Sequence, residues 1–352
     1  MSSRLPQSDR PSACTAGTRR LHVRIRHIGR IGRAVAASRW TRFAFLAVAL
    51  AAGGAAIVPH RHAITAAAAD VGLAAVLAAA VAAVVGLLAT MQVWRAILAG
   101  LGSVVPLGAA AKIFFVGQLG KYLPGSVWPI VAQMELAHAH HVPRHRTGTA
   151  ALLTMIVSLG AGLLTAAVTL PLALAGTDRR YLWLLGAVPL VALALHPAVL
   201  NALLTTGLRV TRRPRPEQPL RGRTVMAAVG WAIGSWLLFG VHVWLLLLPL
   251  MTGRPGTAAA VSAGGFAFAW CVGFLLVVAP AGAGARDLVL VALLATQTGA
   301  AGAAAVALLS RAVMTGADVV LAGAAAAAGR SHGRTSQHSS RRGSVPVGRR
   351  TS

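Results

Sequence analysis

The chain has 352 residues, 56% of them hydrophobic and 11% charged, and its 33 lysines and arginines against 7 acidic residues give a formal net charge of +26. Such an apolar chain, with a mean hydropathy of +0.70, is excluded from the ordinary water-soluble domains. The positive charge clusters at both ends and in one internal loop. No segment between the apolar runs is large enough for a nucleic-acid-binding domain, so the basic segments are read as partners of an anionic membrane surface, with no nucleic acid.

Residues 1–39 are expected to form a basic, largely disordered cytoplasmic tail. Ten arginines fall within residues 1–42, more than the n-region of a signal peptide carries, and no convincing small-residue cleavage site follows. The apolar runs 40–58 and 71–94 are each predicted to cross the bilayer, since about 20 residues suffice. The stretch 101–128, interrupted at Pro106, Lys112 and a Gly/Pro cluster, predicts a re-entrant or broken element.

Ser126 is placed to cap a helix over 127–141, with Pro129 in its first turn; this helix bears Glu135 and ends in His138, His140 and His141. A crossing is expected over 147–170, stopped by Pro171, and a shorter one over 181–195. Residues 196–223, with six arginines, read as a cytoplasmic loop that begins with a surface helix. Further crossings are expected at 224–250 and 257–279, then a second break at 280–287, a short span at 288–297 and a last one at 302–328. Residues 330–352 form a basic, disordered C-tail.

The expected fold is therefore an all-α polytopic integral membrane helical bundle of about eight spans with re-entrant or broken helices, its transmembrane domain covering 40–329. Placing both termini in the cytoplasm leaves only Arg61, Arg179, Arg180 and Arg254 outside, as the positive-inside rule requires. The setting is an inner (plasma) membrane, and a homo-oligomer is compatible with the sequence.

Irregular backbone at membrane depth needs protein or a water-filled cavity to satisfy its freed N–H and C=O groups. Two Gly/Pro-interrupted segments in one apolar chain, around Lys121 and Arg286, therefore predict a polar site between helices. Glycines before Arg286 allow amides to approach a phosphate, Arg286 supplies a planar charged fork, and Asp287 suits the positive start of a helix. The competing account is a solvated inter-helix loop whose arginine only reports orientation. Arg311 and Asp318, seven residues apart, share a helix face; a structural ion pair with another helix is the simpler account of them, and pocket lining the sharper one.

Other patterns carry less. Gly282-Ala283-Gly284 lacks the third glycine and the strand–turn–helix setting of a dinucleotide fingerprint. The histidines at 138–145 sit in a basic membrane-edge loop with only Glu135 nearby, so no metal site is read there, and no cofactor is implied. Cys14 and Cys271 cannot build a disulfide framework.

Gly117-Gln118-Leu119-Gly120-Lys121-Tyr122-Leu123-Pro124-Gly125-Ser126-Val127-Trp128, with Pro280-Ala281-Gly282-Ala283-Gly284-Ala285-Arg286-Asp287 and Arg311, resembles the flippase-like membrane region of the lysylphosphatidylglycerol synthases. The second motif departs from the family pattern at Ala281, Ala283 and Asp287. The resemblance covers roughly 43–328 and implies movement of a lipid between leaflets, with Lys121 and Arg286 as the charged positions of the two motifs. Longer members carry a soluble domain that transfers an amino acid from aminoacyl-tRNA to phosphatidylglycerol; this sequence ends at Ser352, so that activity is not implied and a transporter rather than an enzyme is expected. The expected lipid-binding residues are Lys121, Tyr122, Pro124, Gly125, Arg286, Asp287, Glu135 and Arg311, facing a head group that is anionic or aminoacylated. A membrane enzyme acting on polyprenyl-linked sugars and a non-catalytic scaffold are the alternatives.

Overall fold

A computed structural model describes residues 61–122, 127–174, 182, 185–210, 219–251, 254–275 and 284–342, with side chains as far as residue 328 except that of Val210. These residues belong to one compact unit, Ala49–Ser352. The expected first crossing at 40–58, the N-tail, Ser126 and the proposed site residues Pro124 and Gly125 lie outside the described residues.

The protein is an all-α bundle, and among the described residues there is no strand. In chain order the helices are α1 (Arg61–Gly100), α2 (Leu107–Ala111), α3 (Trp128–His138), α4 (Arg144–Leu174), α5 (Ala187–Ala194), α6 (Pro197–Val210), α7 (Gly222–Leu247), α8 (Pro255–Leu275) and α9 (Ala285–Arg342). Between α2 and α3 the chain winds through a π turn, Lys112–Val116, and a 3-10 turn, Leu119–Tyr122. Alanine and leucine favour helix throughout, and in hydrocarbon a helix satisfies its own backbone groups.

Five of these helices, α1, α4, α7 with its 3-10 extension, α8 and α9, are long and apolar enough to cross a membrane, or six crossings if α5 and α6, bent by 55°, form one broken span. The expected count of about eight included the run 40–58, outside the described residues, and the described residues supply five or six of the crossings. The separate spans expected at 288–297 and 302–328 are parts of α9, interrupted at Gly299. The span expected at 181–195 contains only the eight-residue α5 as an α-helix. Its partner α6 matches the helix expected at the start of the arginine-rich loop.

Which side chains face outward identifies the solvent. Along α1, Leu73, Leu77, Val81, Val85 and Leu88 form an exposed apolar stripe, whereas Ala79, Ala82, Ala83 and Gly86 are among its buried residues. That arrangement would be inverted for water, but it suits lipid: large apolar groups meet acyl chains while small residues let helices approach. At Gly86 an added Cβ would lie 2.6 Å from the Phe239 ring, and at Gly162 one would lie 3.0 Å from the Trp236 indole. Between α4, α7 and α8 the aromatic side chains Trp236, Phe239, Phe266 and Trp270 pack tilted or edge-to-face with centroids 5.2–6.3 Å apart. The Trp236 indole donates to the Ser158 carbonyl at 2.9 Å, joining α7 to α4 without an unpaired polar atom at that point.

Two prolines act differently from expectation. Pro171 lies inside α4, which continues to Leu174, so it does not stop the helix. Pro106 begins α2 instead of interrupting a helix; the break precedes it, where Gly102 takes φ 85°. The carbonyls freed there are met by cations: Arg146 Nη1 donates to Gly102 O at 2.9 Å and Arg95 Nε to Val105 O at 3.2 Å. A basic loop residue can thus have a structural task at the membrane edge as well as setting orientation.

Gly299 breaks α9 with φ 75° and ψ 173°, a conformation essentially reserved for glycine. Gly299→Ala is expected to destabilise the detergent-solubilised protein by ~1–3 kcal/mol, read as a lower thermal midpoint. An unchanged midpoint would show that the break can relax without strain.

Candidate functional site

The first broken element is held by close backbone approach. A Cβ on Gly120 would lie 2.8 Å from both Pro129 N and Trp128 C, and one on Gly117 would lie 2.5 Å from the Gln133 side chain. The 3-10 turn is thus pressed against the start of α3, which has Val127 at its N-cap position and Pro129 in its first turn. This close approach fixes the backbone that carries Lys121 and Tyr122.

Both side chains meet α9 at a single carboxylate. Lys121 Nζ lies 2.6 Å from Asp318 Oδ2, and the Tyr122 hydroxyl donates to the same oxygen at 2.7 Å. The Asp318 side chain is 4% exposed and that of Lys121 30% exposed, so the pair is open on the lysine side only. The ammonium also lies 5.4 Å from the Tyr122 ring centroid. Asp318 therefore fixes both polar groups of the first motif.

Two turns earlier on α9, Arg311 reaches the second motif. Its Nη2 lies 2.7 Å from Asp287 Oδ2, and its Nε donates to Asp287 Oδ1 at 3.3 Å. The shorter Nη2 contact is an ion pair without hydrogen-bond alignment. Asp287 also accepts from the Gly284 amide at 3.3 Å, capping the start of α9, where a carboxylate is favoured by the helix dipole. Arg286 differs from its neighbours. Its guanidinium stacks 4.7 Å from the Phe266 ring centroid, and its buried Nε has no hydrogen-bond partner. Asp287, Arg311, Tyr122 and Asp318 all lie within electrostatic reach of it.

The two broken segments thus converge on one face of α9. Lys121, Tyr122, Arg286, Asp287 and Arg311, all singled out in the sequence, are brought together, and Asp318 joins them as an ion-pair partner. Of the pairings with another element considered for Arg311 and Asp318, that of Asp318 is made with Lys121 of the 3-10 turn, whereas Arg311 pairs with Asp287 at the start of its own helix, α9, across the Gly299 kink.

Glu135 does not join it. Arg144 engages it from the start of α4, with Nε 3.1 Å from Oε1 and Nη2 2.7 Å from Oε2, in an exposed bidentate pair. This bond, helped by the charges of Arg144 and His138, lowers the Glu135 carboxyl below its ordinary value of 4.5. A depressed carboxylate contributes above its unfolded value and loses that contribution as pH falls through the folded one, so the α3–α4 clasp should hold at neutral pH and open only below 4.5. Glu135→Gln should leave the neutral-pH thermal midpoint close to that of the parent, as exposed pairs contribute little; a clear loss would assign the clasp a greater role.

His242 was passed over in the sequence reading. It is fully buried in α7, contacts the Phe239 carbonyl through Nδ1, and meets Ser310 Oγ at 2.8 Å through Nε2. A tautomer protonated on Nδ1 satisfies both bonds, with Ser310 as donor. Its ring packs edge-on against Phe266 at 4.9 Å, the same ring that carries Arg286. The signal was available: one histidine in an otherwise uncharged span.

Five helices long and apolar enough to cross a membrane, with leucines and valines facing outward along α1, define a polytopic, multi-pass membrane protein. The chain belongs to the family Lysylphosphatidylglycerol synthase TM region, which matches residues 31–322. No curated protein matches the chain.

Proposed function

We propose that this membrane protein binds a phospholipid head group at the cluster formed by Lys121, Tyr122, Arg286, Asp287, Arg311 and Asp318, and lets it pass between leaflets. The observation that carries this reading is the Arg286 guanidinium, which has a buried, unsatisfied Nε beside polar groups from the other broken segment. An intramembrane cation is expensive, by ~2.5–3.5 kcal/mol on insertion scales, and its retention points to a ligand. Family membership supports the setting. The acyl chains would remain in lipid while the head group exchanges water for protein donors. The charge bias of the loops supports an inner-membrane orientation with both termini in the cytoplasm, where the basic tails would meet anionic lipid.

Reconstitution in vesicles containing a head-group-labelled phospholipid tests the proposal. Arg286→Ala should slow translocation by about 10-fold or more, the equivalent of a lost charge-assisted bond, while the protein stays inserted and folded. Translocation at the parent rate would refute the assignment.

A further inference from the structure

Resting on that proposed function, we infer that His242 is a positioning residue for Arg286: it braces the Phe266 ring on which the guanidinium lies and ties that ring to α9 through Ser310. His242 and Ser310 are fully buried and Phe266 is nearly so. The imidazole stands perpendicular to the Phe266 ring with centroids 4.9 Å apart, and the guanidinium carbon of Arg286 lies 4.7 Å from the same centroid. The imidazole Nε2 meets Ser310 Oγ at 2.8 Å and its Nδ1 contacts the Phe239 carbonyl of the same helix, so both polar atoms are used and the rotation of the ring is fixed. A phenylalanine could fill the space but could make neither bond.

Arg286 needs such a brace. Its buried Nε has no hydrogen-bond partner among the described residues, and a cation over an aromatic face is held only as firmly as the ring beneath it. The backbone of α9 does not by itself hold Arg286 at a fixed distance from Ser310, because the Gly299 kink lies between them. Two side-chain routes span that kink and end on adjacent residues. Asp287, beside Arg286, pairs with Arg311, while Arg286 reaches Ser310 through Phe266 of α8 and His242 of α7. The first route fixes the start of α9; the second fixes the guanidinium.

Phenylglyoxal, which modifies guanidinium groups, reads the position of Arg286 on the purified full chain in detergent, with the rates at Arg286 and Arg311 followed separately by peptide mass spectrometry. His242→Phe combined with Ser310→Ala removes both ends of the bond and keeps an aromatic ring against Phe266. Because neither partner is left unsatisfied, the thermal midpoint should stay close to that of the parent. Arg286 should nevertheless react about threefold faster or more, the equivalent of one lost hydrogen bond, with Arg311 at its parent rate. In vesicles, the mole fraction of head-group-labelled phosphatidylglycerol that half-saturates translocation should rise by a similar factor. His242→Gln, which keeps an acceptor for Ser310 and removes the ring, should also speed modification of Arg286, and it keeps the test open if the double variant does not fold. An equal rise at Arg286 and Arg311 would mean general loosening and overturns the inference. Parent-like modification in either folded variant also overturns it, while leaving the lipid site standing. Faster modification of Arg286 alone, with a parent-like lipid dependence, supports the positioning role and contradicts the proposed lipid site.

Discussion

Asp318→Ala is expected to lower stability and translocation together, with the largest effect on stability of any single charge removal in the cluster. The carboxylate is buried and accepts both the Lys121 ammonium at 2.6 Å and the Tyr122 hydroxyl at 2.7 Å. Deleting it leaves a cation and a hydroxyl facing α9 without their acceptor. Removing one partner of a fully buried pair costs about 3–5 kcal/mol; the partial exposure of Lys121 lets water recover some of this, so about 2–3 kcal/mol is expected. Asp318→Asn should lie between the parent and the alanine variant, because an amide oxygen can still accept from Tyr122 but cannot neutralise Lys121. Thermal unfolding in detergent checks the order. A parent-like midpoint for Asp318→Ala would mean that the first broken segment is anchored elsewhere.

Gly240→Leu should damage the bundle more broadly. A Cβ at this position would come 2.6 Å from both Cα and Cβ of Ala263, and the nearer obstacle includes backbone that no rotamer change can move. The side chain would force α7 from α8 in the layer where Phe239 and Phe266 pack at 5.7 Å. Overpacking costs about 1–3 kcal/mol in a typical core and exceeds that range where backbone must separate. Since Phe266 also supports Arg286 and His242, translocation should fall with the melting temperature. Gly230→Leu is the control: nothing lies within 4 Å of a Cβ there, and its side chain should be tolerated. Equal destabilisation of the two variants would contradict close α7–α8 packing as the cause.

The helical class and the first break were legible because lipid imposes strong rules: apolar runs of crossing length, with glycine and proline where they are interrupted. Pairing was not legible. Asp287 follows Arg286 directly, yet it binds Arg311, and Lys121 finds its acid on the last helix. These choices depend on the relative rotation of packed helices, which composition does not specify. Glu135 stays apart from the cluster for a local reason: Arg144, beyond the turn, binds it. The boundary expected between 297 and 302 corresponds to the kink at Gly299, where a positive φ interrupts α9 without ending it. His242 was legible as one polar residue in an apolar run, but its partners, Ser310 and the Phe266 ring, lie on other helices and depend on packing.

The central claim is that the two broken segments form a single site on α9. Vesicle translocation of head-group-labelled phosphatidylglycerol should be compared for the parent, Lys121→Ala, Arg286→Ala and the double variant, with insertion and folding checked for each. One shared site predicts strong non-additivity, the double variant being little slower than the slower single variant. Independent multiplication of two large losses, or parent-like rates in both folded single variants, would contradict it.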